Sequence, residues 1–143
     1  MASARASTST RKGRARRDFE PTVGASRLSR EFVREMLALW NADDLTEVAE
    51  LLTAELVTNV VCHAVTSADV ALLWDEPTLR VEIRDGSAIL PAITDLPKDE
   101  HGRGLHIVSA LARQWGTRRL GEGKTVWFTV TRQDGPSDQP SGS

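Results

Sequence analysis

Between Ala25 and Trp40 the apolar residues Leu28, Phe32, Met36 and Leu39 recur three or four positions apart, which predicts a first helix. Asn41-Ala42-Asp43 then breaks the pattern and supplies a cap, with Glu47 placed to support the next helix start. A second helix is expected from about Asp44 to Ala64. The period then changes. Leu79, Val81 and Ile83 alternate with Arg80, Glu82 and Arg84, so a strand over Thr78 to Arg84 turns one face to the core and one outward. A partner strand, Asp69 to Trp74, precedes it across the turn Asp75-Glu76-Pro77. A short strand from Phe19 to Val23 is expected ahead of the first helix. A third helix, about Gly104 to Gln114, would bury Leu105, Val108, Leu111 and Ala112. Strands near Trp115 to Leu120 and Lys124 to Arg132, turned by Gly121-Glu122-Gly123, close the chain. This order predicts an α+β fold, a two-layer α/β sandwich with a mixed or antiparallel sheet and helices on one face.

Composition narrows the reading. The chain has 143 residues and 40% hydrophobic content, enough for one core. Its net charge of -2 hides an asymmetry: Arg5, Arg11, Lys12, Arg14, Arg16 and Arg17 occupy the first 17 residues, which contain no acid. Of 18 basic residues, 12 remain against 20 acids, so the rest of the chain carries about -8. Residues 1–17 read as a disordered basic tail, 18–132 as the folded domain, and the Pro/Gly/Ser-rich 133–143 as a second disordered tail. The acidic domain argues against nucleic-acid binding beyond a weak contact by the tail. Cys62 is the only cysteine, which excludes an internal disulfide or a cysteine-rich zinc site. No apolar run reaches the roughly 18 residues a membrane helix needs, and no apolar stretch follows the N-terminal charges, so a cytoplasmic protein is expected. The tryptophans at 40, 74, 115 and 127 read as core or sheet-packing residues, although Trp74 or Trp127 on a strand would also suit a homodimer surface.

The candidate chemistry lies on the second helix. At roughly 100° per residue, Leu45, Val48, Ala49, Leu52, Leu56 and Val60 form an apolar arc, and Glu55, Asn59 and His63 fall within it or at its edge. Burying a carboxylate, an amide and an imidazole in one stripe is unfavourable unless something satisfies them. Mg²⁺ bound with nucleotide phosphates is a natural client for an Asn oxygen, and a carboxylate one turn away suits a base. Asp85 lies in phase with Leu79, Val81 and Ile83. It reads equally well as a cap of the following turn or as an acceptor for the exocyclic amine of adenine. The segment from Gly86 to His101 is a long connection of the kind that forms lids. After it, Gly102, Arg103, Gly104 and Leu105 open the third helix, where glycine backbone and free N–H groups favour an anion.

In this order the motifs resemble the GHKL (Bergerat-fold) ATPase superfamily. Glu55-Leu-Val-Thr-Asn59-Val-Val-Cys-His63-Ala64 looks like its N box, Asp85-Gly86 like its first glycine box, and Gly102-Arg-Gly104-Leu105 like its second. Gly123-Lys-Thr125-Val-Trp-Phe128 looks like its closing motif. Within the superfamily the wording is similar to bacterial anti-sigma factor serine/threonine protein kinases. The resemblance implies ATP and Mg²⁺ as cofactors, with Asn59 on the metal, Glu55 as base, and Asp85 with Gly86 at the adenine. Thr125 would support the base, Gly102, Arg103, Gly104 and Leu105 would surround the phosphates, and His63 belongs to the N-box contacts. It further implies phosphorylation of a small anti-sigma antagonist and binding of a sigma factor. The first glycine box departs from the common Asp-x-Gly-x-Gly, reading Asp85-Gly86-Ser87-Ala88-Ile89. The alternative is a non-catalytic regulator of the same fold that acts by protein binding.

Overall fold

The strand that opens the sheet is the one the charge pattern concealed. In the computed structural model, which describes residues 12–61, 66–85, 107–120 and 123–132, β1 runs from Lys12 to Phe19. It pairs antiparallel along its whole length with β2 (Ala68–Asp75). The structure therefore corrects the boundary of the basic tail, since residues 12–17 are sheet. It also moves the expected Phe19–Val23 strand upstream. Alternation explains the difference. Gly13, Ala15 and Phe19 share the face of Trp74, Leu72 and Ala68, while Lys12, Arg14, Arg16 and Asp18 point the other way. A basic strand is held here by one face of small and aromatic residues, and Arg16 Nε sits 2.9 Å from Asp69 Oδ1 on the other. Gly13 is required by packing, because a Cβ there would fall inside the indole of Trp40.

β2 continues through the Glu76–Pro77 turn, whose peptide is cis, into β3 (Thr78–Asp85). With β4 (Gln114–Leu120) and β5 (Gly123–Thr131) the order is β1-β2-β3-β5-β4, and every neighbouring pair is antiparallel. The helices α1 (Ala25–Leu39) and α2 (Thr46–Asn59), joined by a 3₁₀ turn at Asp43–Leu45, cover one face. Val70, Leu72, Leu79, Val81, Ile83, Val126, Phe128 and Val130 of that face form a single core with Phe32, Val33, Leu37, Leu52, Leu56 and Val57 of the helices. The expected two-layer α+β sandwich is the observed fold, and its sheet is antiparallel.

The α1 core stripe differs from the expected one by a rotation. Ala25, Ser29, Phe32, Val33 and Leu37 are buried, whereas Leu28 and Leu39 are 43% and 67% exposed. A period of 3.6 admits either set, and contact with α2 and the sheet selects between them. The α-helical part of the second helix runs to Asn59, residues 60–61 form a π-type turn, and the expected end at Ala64 lies outside the described residues. The third helix is described over 107–111 and ends before Gln114, because Arg113 N–H already donates to Thr129 C=O across the β4–β5 edge.

Arg132 ties one end of the domain together. Its guanidinium donates to Asp44, to Glu76 at 3.0 Å and to the Asn41 carbonyl at 2.6 Å, and lies 5.2 Å from the Trp74 ring. The Asp44 hydrogen bond, the largest cause, raises the Arg132 pKa further above its ordinary value. This contact brings the start of α2 to the end of the sheet where β3 begins. With its 14 residues α2 rises ~21 Å, and the 8 residues of β3, against which it packs, extend ~25 Å. Their far ends, Asn59 and Asp85, accordingly lie toward the opposite end of the sandwich.

Candidate functional site

Asn59, the last residue of α2, is half-buried, and its Nδ2 is removed from water without a hydrogen-bond partner among the described residues. A buried amide left in that condition is costly, ~1–3 kcal/mol. A half-turn about its terminal torsion presents oxygen or nitrogen to the same space, so the group can serve a cation or an acceptor. The π-type turn that follows lets the helix open where this side chain leaves it; such turns recur at functional sites. Glu55, one turn earlier, is also half-buried. Its neighbours Thr53, Ala54, Leu56 and Val57 are all buried, so this stretch of α2 has little solvent-facing side. Thr53 is fully buried, with its hydroxyl unpartnered among the described residues. Nothing in the sequence distinguished it from an ordinary helix threonine.

Asp85 is the second fixed group. It ends β3 on the helix side of the sheet, as its phase with Leu79, Val81 and Ile83 predicts, and its side chain is 1% exposed. Register decides what it meets. Asp85 pairs with Lys124, and Arg84 pairs with Thr125. Residues directly opposite in an antiparallel pair share a face, so Lys124 stands beside Asp85 and Thr125 points through the other side. Lys124 Nζ lies 3.2 Å from Asp85 Oδ2, and the lysine side chain is only 8% exposed. Of the two neighbours in the closing motif, Lys124 joins the carboxylate, a residue that sequence reasoning passed over. The signal was present in strand parity: counting Val126 and Phe128 as inward makes 124 inward and 125 outward.

Thr125 is buried on the open face. It contributes to a cleft of about 150 Å³ with Arg16, Asp69, Ala71, Glu82, Arg84 and Arg118. On the same face Arg80 stacks 4.2 Å over Trp127, while Gly116, opposite Trp127, leaves room for its indole. Cross-strand stacking accounts for Trp127 and core burial for Trp74, which is 2% exposed.

The remaining expected site residues, His63, Gly86, Gly102, Arg103, Gly104 and Leu105, lie outside the described residues, as do Ser87, Ala88 and Ile89. The structure places an amide and a carboxylate on the last turns of α2, and a carboxylate–ammonium pair at the ends of β3 and β5. An unpartnered amide where a cation with phosphates would need an oxygen, and a carboxylate where a base would need an acceptor, suit ATP with Mg²⁺. Among the described residues no three His, Cys, Asp or Glu side chains are grouped to hold a metal by themselves. No helix among the described residues is long and apolar enough to cross a membrane.

Comparison with known proteins identifies the fold and the family. The fold resembles the crystal structure of the RsbU and RsbW domains of Rv1364c from Mycobacterium tuberculosis, with a TM-score of 0.64 at 22% identity, over 83% of this chain and 32% of that one. The present chain thus spans about a third of that protein's crystallised length. It also resembles a chain of the SiaB–SiaC complex from Pseudomonas aeruginosa, with a TM-score of 0.57 at 13% identity, over 92% and 96% of the two chains. No curated protein matches the sequence. The family model for the histidine kinase-like ATPase domain matches residues 19–130, from the end of β1 almost to the end of β5. The chain therefore belongs to the histidine kinase-like ATPase family.

Proposed function

We propose that this protein is an ATP-dependent protein serine/threonine kinase of the anti-sigma factor type, binding Mg-ATP between α2 and the ends of β3 and β5. The observation that carries the reading is the pairing of Glu55 and Asn59 one turn apart on a largely buried stretch of α2, with the Asn59 amide unpartnered, in a chain of this ATPase family. When bound, Mg²⁺ neutralises phosphate charge; Asn59 would hold it by its amide oxygen. Glu55 is placed to orient and deprotonate a serine hydroxyl, and Asp85 accepts from the amine of adenine. Gly102, Arg103, Gly104 and Leu105, with Gly86 and His63, would complete the phosphate side. The acceptor is a small anti-sigma antagonist, and a sigma factor is the second partner. Titration calorimetry with Mg-ATP tests the pocket: micromolar binding that falls at least tenfold in Asn59→Ala supports it. No binding at millimolar ATP by the wild type sinks it. Glu55→Gln separates binding from transfer, since the proposed base is needed only for the second.

The altered first glycine box, with Ser87 and Ile89 where the family commonly has glycine, favours a second reading. In it the domain binds its partners and turns over little or no ATP. Phosphotransfer to an antagonist protein in the presence of Mg-ATP distinguishes the two.

A further inference from the structure

We propose that Arg84 and Arg118, with Thr125 between them, form a binding site for a phosphate group on the open face of the sheet, the face turned away from the helices. The site lies through the sheet from Asp85 and Lys124 and does not rest on the nucleotide reading. Register builds it. Arg84 of β3 stands directly opposite Thr125 of β5, which on its other side stands opposite Arg118 of β4, so the three form one row across three strands. Residues opposite one another share a face. With neighbouring strands about 4.8 Å apart, the two arginine backbones are ~10 Å from each other, and their side chains can meet over the threonine. Both line the same cleft of about 150 Å³. Arg84 Nε lies 3.6 Å from where a Cβ on Gly123 would stand, so this side chain leans over β5. Thr125 is 2% exposed, while both arginines are exposed.

Two carboxylates also line the cleft, and each is already held: Asp69 by Arg16, whose Nε is 2.9 Å from Oδ1, and Glu82 by Arg80 at 2.7 Å. The arginines at 16, 17, 27, 34, 80 and 132 each face an acid. Arg84 and Arg118, by contrast, have no hydrogen bond or ion pair among the described residues. Two like charges gathered at one cleft repel unless an anion sits between them. A guanidinium presents paired N–H donors that match the oxygens of a phosphate, and a hydroxyl between two such groups adds a further donor. At ~30 Å³ per water the cleft has room for about five waters, which suits a tetrahedral oxyanion. A phosphate monoester, close to doubly charged at neutral pH, answers both arginines, where a carboxylate answers one.

Inorganic phosphate titrated into the full chain at constant ionic strength, followed by heteronuclear NMR of the arginine Nε–H groups and the backbone amides, tests the site. Saturable shifts centred on Arg84, Arg118 and the Thr125 amide are expected at millimolar phosphate. Arg118→Gln should weaken binding roughly 10-fold or more, the worth of a hydrogen bond from a charged donor. Arg14→Gln, on the same face but outside the row, should bind as the wild type does. A short peptide bearing one phosphoserine distinguishes the sources of the group. Tighter binding than inorganic phosphate assigns the site to a phosphorylated protein, and equal or weaker binding assigns it to free phosphate. No saturable shift through tens of millimolar phosphate in the wild type overturns the proposal and needs no variant. So do shifts spread evenly over Arg14, Arg16 and the row, which mark general screening, and an Arg118→Gln protein that binds phosphate as tightly as the wild type.

Discussion

Replacing Lys124 with methionine leaves the Asp85 carboxylate, 1% exposed, without the ammonium 3.2 Å away. At an effective dielectric constant of about 20, that separation corresponds to an attraction of roughly 5 kcal/mol. Removing the lysine also relieves the cost of desolvating it, so the net effect is smaller, and breaking one side of a buried pair typically costs about 3–5 kcal/mol. Against a total stability of ~5–15 kcal/mol, such a change is severe. Urea unfolding followed by tryptophan fluorescence is the assay, and a loss of this size should lower the midpoint by about 2 M. Asp85→Asn should cost a comparable amount, because it strands the ammonium instead. The double variant Asp85→Asn/Lys124→Met removes both charges and should recover most of the loss, ending within about 1–2 kcal/mol of wild type. A positive coupling of ~2 kcal/mol or more in this cycle is the signature of a buried pair. Single substitutions that each cost less than ~1 kcal/mol, or a double variant that merely sums them, would refute the reasoning and place the two groups in water.

Gly13→Val forces a branched side chain into the indole of Trp40 and should destabilise the domain by about 1–3 kcal/mol by urea unfolding, while Arg14→Val on the open face of β1 should not. Arg132→Ala releases Asp44, Glu76 and the Asn41 carbonyl at once; a loss of ~1–3 kcal/mol is expected, with faster amide exchange at the start of α2 before the rest of the helix. Thr125→Val, on the face away from Asp85, should leave ATP affinity within about twofold by titration, since a neutral hydroxyl lost elsewhere contributes nothing to the pocket.

Periodicity alone was enough to find both long helices and four of the strands, because each buries one face and the alternation of Leu79, Val81 and Ile83 has no other physical use. It also placed Asp85 on the core side and Glu55 with Asn59 at a buried stripe, since parity and helical phase are local properties. Strand β1 escaped because composition is a poor guide when only one face of an edge strand is buried: Gly13, Ala15 and Phe19 suffice once β2 is beside them. The α1 stripe escaped for a related reason, as two adjacent helical faces were both apolar and only contact with α2 and the sheet chose between them. Lys124 and Thr125 are the sharpest case. Both are polar neighbours in one motif, and chain order gives them equal claim to the carboxylate of Asp85. The register of β3 against β5 separates them onto opposite faces, and register is a relation between segments some forty residues apart. What the sequence by itself determined was which side chains could be buried and in what phase; which of them meet was decided by the pairing of strands and the docking of helices, where burial of the whole core, and not of any one segment, sets the free energy.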